Sequence, residues 1–162
     1  MKNYFKDLLV LIVIVVLQST FIPLISVNNV APDLVLIFVV TVAIKSGQIP
    51  ATVLGFIGGA VLDLLTGEFF GLGAFTKTIS GFMIGYLFNE NKIDSILKSY
   101  QYLMLVAIAS LINNILYFAI YTQGTSITFF SAIFEIGFFS SIYTSVITFF
   151  PMIYFQRKRV SF

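Results

Sequence analysis

The sequence predicts an all-α integral membrane protein, six transmembrane helices in a single domain with both termini cytoplasmic. Three observations carry that expectation. The 162 residues are 59% hydrophobic and 10% charged, with a mean hydropathy of +1.02, whereas soluble domains carry about 25% charged residues. The apolar residues fall into runs close to the roughly 20 that a helix needs to cross the hydrocarbon. If those runs alternate in direction, every lysine and arginine except Lys77 falls on one side, the bias expected of cytoplasmic segments. Cysteine and histidine are absent. That excludes disulfides, thiolate or imidazole metal sites and every Ser/His or Cys/His nucleophile pair, and leaves carboxylate chemistry alone open.

The first run, Leu8 to about Ile25, follows Lys2 and Lys6. It is longer than a signal-peptide core and no small-x-small cleavage site follows it, so it is expected to stay as an anchor. The second extends from about Val30 to Ile44 and the third from Pro50 to Leu65. Each is about 16 residues long and has a proline, Pro32 or Pro50, at or near its first turn, where the missing N–H costs nothing. Spans this short imply a thinned bilayer or ends covered by protein. Asp33 follows Pro32 and puts a carboxylate where the helix dipole favours it. The fourth run is Phe69 to Phe88, the fifth Gln101 to Tyr121 and the sixth Ile127 to about Phe155. Between the fourth and fifth, Asn89 to Ser99 carries Glu90, Lys92, Asp94 and Lys98 and reads as a short interfacial helix or a solvated turn. No linker divides the chain into two domains.

With the N-terminus inside, the inner segments hold Lys2, Lys6, Lys45, Lys92, Lys98, Arg157, Lys158 and Arg159, and the outer loops hold no basic residue. The tail from Gln156 to Phe162 then acts as a topological stop at the anionic cytoplasmic surface, with a cytoplasmic partner as the alternative. Lys77 lies inside the fourth span, while Asp33, Asp63, Glu68 and Glu135 fall in the outer half or on the outer face. A lysine in mid-membrane costs about 2.5–3.5 kcal/mol and needs a partner. Asp63, close to the same turn, is the preferred one. Glu135 is the alternative if the sixth helix starts near Ile127; counted back from Arg157, Glu135 lies at the outer interface. A structural ion pair and an outward-open polar pocket are both compatible with these charges. Asn113, Asn114 and Gln18 read as interhelical hydrogen bonders, and Tyr100 and Tyr102 as members of an interfacial belt.

The third span carries Ala51, Gly55, Gly59, Asp63 and Gly67 at four-residue spacing, and the fourth answers with Gly73, Lys77, Gly81 and Gly85. The turn from Thr66 to Gly71 is short, so the two helices are antiparallel neighbours. In a membrane, stripes of small residues let backbones approach closely. Two readings stand side by side: packing within the chain, or a stripe turned outward to receive the transmembrane helix of another protein.

The run Ala31-Pro32-Asp33-Leu34-Val35-Leu36, then Gly55-Phe56 with Gly59, Leu62-Asp63-Leu64, Gly67 and Phe70-Gly71-Leu72-Gly73, resembles the signature of the rod shape-determining MreD family. Thr76-Lys77-Thr78 with Gly81 and Gly85 is also similar to many bacterial members. The specific part covers residues 31 to 88, about a third of the chain. The resemblance implies a non-enzymatic component of the bacterial inner membrane in the lateral wall-elongation machinery. It implies direct binding of MreC, with MreB, RodA and a penicillin-binding transpeptidase as members of the complex, and a six-helix fold similar to the S-components of energy-coupling-factor transporters. No cofactor, metal or nucleic-acid partner is expected. The expected partner surface or polar crevice comprises Pro32, Asp33, Gly55, Gly59, Asp63, Gly67, Gly71 and Lys77. The rival is a vitamin-binding S-component. It is disfavoured by the absence of tryptophan and histidine and by outer loops, Ser26 to Ala31 and Thr122 to Ser126, too short for a generous lid. A small proton-coupled carrier built on Asp63, Lys77 and Glu135 is a third reading, disfavoured because the inner half of the membrane holds no titrating relay. Enzyme readings are weakest, since no pair of carboxylates has a spacing suited to catalysis.

Overall fold

A computed structural model describes residues 4–26, 30–67, 69–124 and 128–157. The regular elements are helices: α1 Tyr4–Ile25, α2 Leu34–Ser46, α3 Gln48–Thr66, α4 Leu72–Gly85, α5 Ile93–Leu97, α6 Tyr100–Tyr121 and α7 Phe129–Arg157. Near its start α7 passes through a π-helical turn, Ile133–Gly137. Its backbone ladder then continues across Thr148, whose N–H reaches the Thr144 carbonyl at 3.0 Å and whose carbonyl accepts from Met152 at 3.1 Å.

Among the described residues, four helices are long and apolar enough to cross a membrane: α1, α3, α6 and α7. The other two expected spans are present as helices but shorter than expected, α2 with 13 residues and α4 with 14. At 1.5 Å per residue each is about 20 Å long, against a hydrocarbon core of about 30 Å. The expected Val30 start moves to Leu34 because Asp33 caps the helix. The expected Phe69–Phe88 contracts to Leu72–Gly85 because Gly71, in a left-handed conformation, sets its beginning.

The two short helices are heavily buried. Helix α2 buries Val35, Leu36, Ile37 and every residue from Val39 to Ile44, and it touches α1, α3, α4, α5 and α6. A helix apolar all round belongs inside. Helix α4 is likewise buried along Gly73, Ala74, Thr76, Lys77, Ser80, Gly81 and Ile84. Helix α4 also turns Phe75, Phe82 and Met83 outward, each about half exposed. The long helices form the outside and expose large apolar side chains such as Leu17, Phe21, Phe56, Phe134 and Val146, a surface suited to lipid and ill-suited to water. Leu11, Val15, Val39, Val40, Val106 and Met152 contribute to the core they enclose.

The charged ends follow from the helix directions. Lys6, Lys45, Lys92, Lys98 and Arg157 gather at the end where α1 and α6 begin and α2, α4 and α7 finish. The segment expected to be an interfacial helix or turn is a 3₁₀ turn, Glu90–Lys92, followed by α5. It is tied to α7 by Gln156 Nε2, which donates to the Lys98 carbonyl at 3.0 Å. Lys98 also meets the exposed Asp94 at 3.4 Å, a pair of small energetic weight. Tyr100 is exposed as expected of a belt residue, but Tyr102 is fully buried and its hydroxyl lies 2.7 Å from Thr41 Oγ1. Its place on α6 turns it toward α2, and the buried threonine supplies the partner its hydroxyl needs. Lys2, Lys158 and Arg159 lie outside the described residues, as do parts of both outer loops.

Candidate functional site

Helices α3 and α4 meet backbone to backbone. A Cβ added at Gly55 would lie 2.7 Å from the Lys77 carbonyl oxygen, and one at Gly59 would lie 2.5 Å from Ala74 Cα. Gly81 faces the Ala51 carbonyl in the same way, at 2.9 Å. The small-residue stripe is therefore filled by α4 of the same chain. Of the two sequence readings, packing within the molecule is the one this geometry realises at Gly55 and Gly59. Gly58, one step round α3, admits Leu11 of α1 and Val35 of α2. The hydroxyls in the interface are satisfied locally: Thr78 Oγ1 donates to the Ala74 carbonyl at 2.6 Å and Ser80 Oγ to the Thr76 carbonyl at 2.9 Å, so neither has to find water.

The turn between the two helices is organised by Asp63. Gly67 closes α3, its N–H bonded to the Asp63 carbonyl at 3.1 Å, and Gly71 opens α4. Their φ angles are 70° and 93°, and an added Cβ at either would have nothing within 4 Å. Glycine is thus required at both by backbone conformation rather than by space. Gly71 offers α4 no side-chain cap. Asp63 supplies one from a distance: its Oδ2 accepts from Gly71 N at 2.9 Å and Ala74 N at 3.2 Å. A carboxylate there also meets the positive end of the α4 dipole. Phe69 and Phe70 at the turn are exposed. Glu68 lies outside the described residues.

Lys77 pairs with Asp33, at 2.8 Å between Nζ and Oδ2, and not with Asp63. The interlocked stripes give the reason. Lys77 faces Gly55, and Asp63 lies eight residues further along α3, about 12 Å away at 1.5 Å per residue. Asp33 is the N-cap of α2, where its Oδ1 accepts from Leu36 N at 2.9 Å and from Gln18 Nε2 at 3.2 Å. Its own N–H donates to Thr144 Oγ1 at 3.1 Å. Gln18 completes the ring by accepting from Val35 N at 2.7 Å. Ser140 Oγ donates to the Ala31 carbonyl at 2.7 Å, beside the fully buried Pro32. Asp33 thereby joins α1, α2 and α4 through its carboxylate and α7 through its backbone N–H, and the carboxylate balances a buried cation that would otherwise be strongly destabilising.

Glu135 stands apart, exposed in the π-helical turn of α7. Asp63, Lys77 and Glu135 do not converge. Gln18 and Asn114 are interhelical hydrogen bonders as expected; Asn114 Nδ2 donates to the Gly137 carbonyl at 2.9 Å and to Ser141 Oγ at 3.1 Å. Asn113 Oδ1 is buried without a hydrogen-bond partner. Sequence reasoning missed Ser140 and Thr144. The signal was available in Ser141, Thr144, Ser145 and Thr148, a hydroxyl stripe at helical spacing on an otherwise apolar helix. No group of three or more potential metal ligands gathers among the described residues.

Buried charges spent on joining helices, small-residue faces in place of a soluble core and an apolar exterior define an all-helical membrane protein. A family model described as rod shape-determining protein MreD matches residues 2–158 of the 162. The chain belongs to the MreD family, and its role lies in rod shape determination. No curated protein and no solved structure matches the chain, so the expected likeness to the S-component fold and the vitamin-binding rival both stand without support.

Proposed function

We propose that this chain is a non-enzymatic scaffold of the lateral wall-elongation machinery in the bacterial inner membrane. It crosses the membrane six times with both termini cytoplasmic and binds MreC directly, with MreB, RodA and a penicillin-binding transpeptidase in the same assembly. The partner surface is built on the α3–α4 hairpin. Gly55, Gly59, Gly67 and Gly71 set its shape, and Asp63 and the Pro32–Asp33–Lys77 node hold it in place. What the hairpin offers outward is apolar: Val53, Phe56, Phe75 and Phe82 are each about half exposed. Membrane helices associate through close van der Waals packing rather than a hydrophobic driving force, so a rigid surface of fixed shape is what a partner helix can match.

The observation that carries this reading is the use made of the buried polar groups. Asp33, Asp63 and Lys77 are engaged in capping and pairing helices, an arrangement that supports assembly better than catalysis or transport. The test is affinity capture of the tagged chain from native membranes in mild detergent, with mass spectrometry of proteins and small molecules. MreC is expected, accompanied by RodA or its transpeptidase. Recovery of a transport ATPase module with a near-stoichiometric vitamin, and no MreC, would overturn the scaffold.

A further inference from the structure

Helices α6 and α7 pack together from Phe129 to Ile147 and diverge beyond it, toward the basic end. Near the outer side they are held by Asn114, which bonds the Gly137 carbonyl and Ser141 Oγ. Near the basic end α7 is held by the bond from Gln156 to the Lys98 carbonyl and by the edge-to-face contact of Phe155 with Tyr102, 6.2 Å between centroids. Along the outside of this contact runs an almost wholly apolar cleft of about 740 Å³, lined by Leu103, Ala107 and Leu111 of α6 and by Phe138, Ile142, Val146 and Phe150 among the residues of α7. The helices are already in contact beside this cleft, so closer approach does not remove it, and in a membrane an apolar cleft is filled by an apolar chain.

We propose that this cleft holds an acyl chain of an anionic phospholipid of the cytoplasmic leaflet, with its phosphate at Arg157. Three observations select that occupant. The first is depth: the lining spans eight residues on α6, Leu103 to Leu111, and twelve on α7, Phe138 to Phe150, about 12 to 18 Å, comparable with one leaflet of a hydrocarbon core about 30 Å thick. A partner's transmembrane helix needs the whole thickness, and the Asn114 contact interrupts the cleft before that. The second is charge. Arg157 is exposed and stands seven residues beyond Phe150 and eleven beyond Val146, both of which line the cleft. At 100° per residue it falls within about 20° of each, so it lies directly below the cleft on the same face of α7. Asp94, an acidic residue at this end, is taken by Lys98. The third is the rim: Tyr100, seven residues before Ala107 and so on its face of α6, and Tyr154, one turn past Phe150, are both well exposed. These are amphipathic rings at the level of the headgroups.

The test uses the full chain, purified in mild detergent and incubated with equal amounts of phosphatidylglycerol and phosphatidylcholine, with retained lipid counted by native mass spectrometry. One phosphatidylglycerol is expected to be kept in preference to phosphatidylcholine. Arg157→Gln should lower that preference about fivefold, the factor for one basic residue at an anionic surface. Ala107→Phe, which fills the cleft, should release both lipids. A photoreactive residue at Ile142 in otherwise wild-type protein should label lipid in native membranes, a readout independent of how the other variants fold. Equal retention of the two lipids by wild type, or labelling of a polypeptide instead of lipid at Ile142, would overturn the proposal.

Discussion

Asp33 does two jobs with one carboxylate: it starts α2 and it neutralises Lys77. Removing one member of a buried pair leaves the other charge uncompensated, at a cost of about 3–5 kcal/mol, whereas replacing both by neutral groups costs much less. Asp33→Asn and Lys77→Met are therefore each expected to destabilise the protein strongly, and the double variant less than either, in denaturant unfolding from mixed micelles. Asp63→Ala removes only a helix cap and should cost about 1 kcal/mol. A larger cost for Asp63→Ala than for Asp33→Asn would mean that Asp63, not Asp33, balances the cation. That Lys77 has a partner was legible in the sequence. Which acid it meets was not, because closeness to the turn does not fix which acid lies level with the lysine. Setting Gly55 opposite Lys77 and Gly59 opposite Gly73, as the two stripes allow, would have placed Asp63 two helical turns too far out. Asp33 lies 44 residues before Lys77, and no local pattern links the two.

At the scale of elements, glycine serves α3 and α4 in two different ways that substitution separates. At Gly67 the backbone is left-handed and the surroundings are open. Alanine and leucine should there cost about the same, about 1–2 kcal/mol, the penalty of that conformation for any L side chain. At Gly59 an added Cβ meets α4 backbone at 2.5 Å, and overpacking costs about 1–3 kcal/mol or more. There the loss should grow steeply from alanine to leucine. The same unfolding assay checks both, and a size-dependent loss at Gly67 would contradict the geometry. The hairpin was legible because its spacing is strictly four and its turn is short. The lengths of α2 and α4 were less so: hydropathy marks where a segment is apolar but not whether lipid or protein surrounds it. The π-helical turn in α7 left no periodicity to read, and its bracing by Asn114 depends on the approach of α6 and α7 near Gly137.

At the scale of the whole molecule, the buried polar groups are spent on contacts between helices and the exposed large side chains are apolar, so the surface presents a shape more than a set of reactive groups. The gathering of Lys6, Lys45, Lys92, Lys98 and Arg157 at one end of the bundle was legible from the order of the apolar runs, because successive helices reverse direction. Sequence could not say which surface is left uncovered, since that depends on how the glycine stripes pair. Once Gly55 and Gly59 are occupied by α4, Gly55→Leu with Gly59→Leu is expected to disrupt the fold itself and cannot report on binding of MreC. The outward side chains can. The most direct measurement is photo-cross-linking in native membranes from single positions Phe56, Phe75 and Phe82, with Phe134 on α7 as a control away from the hairpin. A scaffold that holds MreC on the α3–α4 hairpin predicts MreC adducts from the first three and few or none from Phe134. Adducts confined to Phe134, or none with MreC from any position, would contradict it.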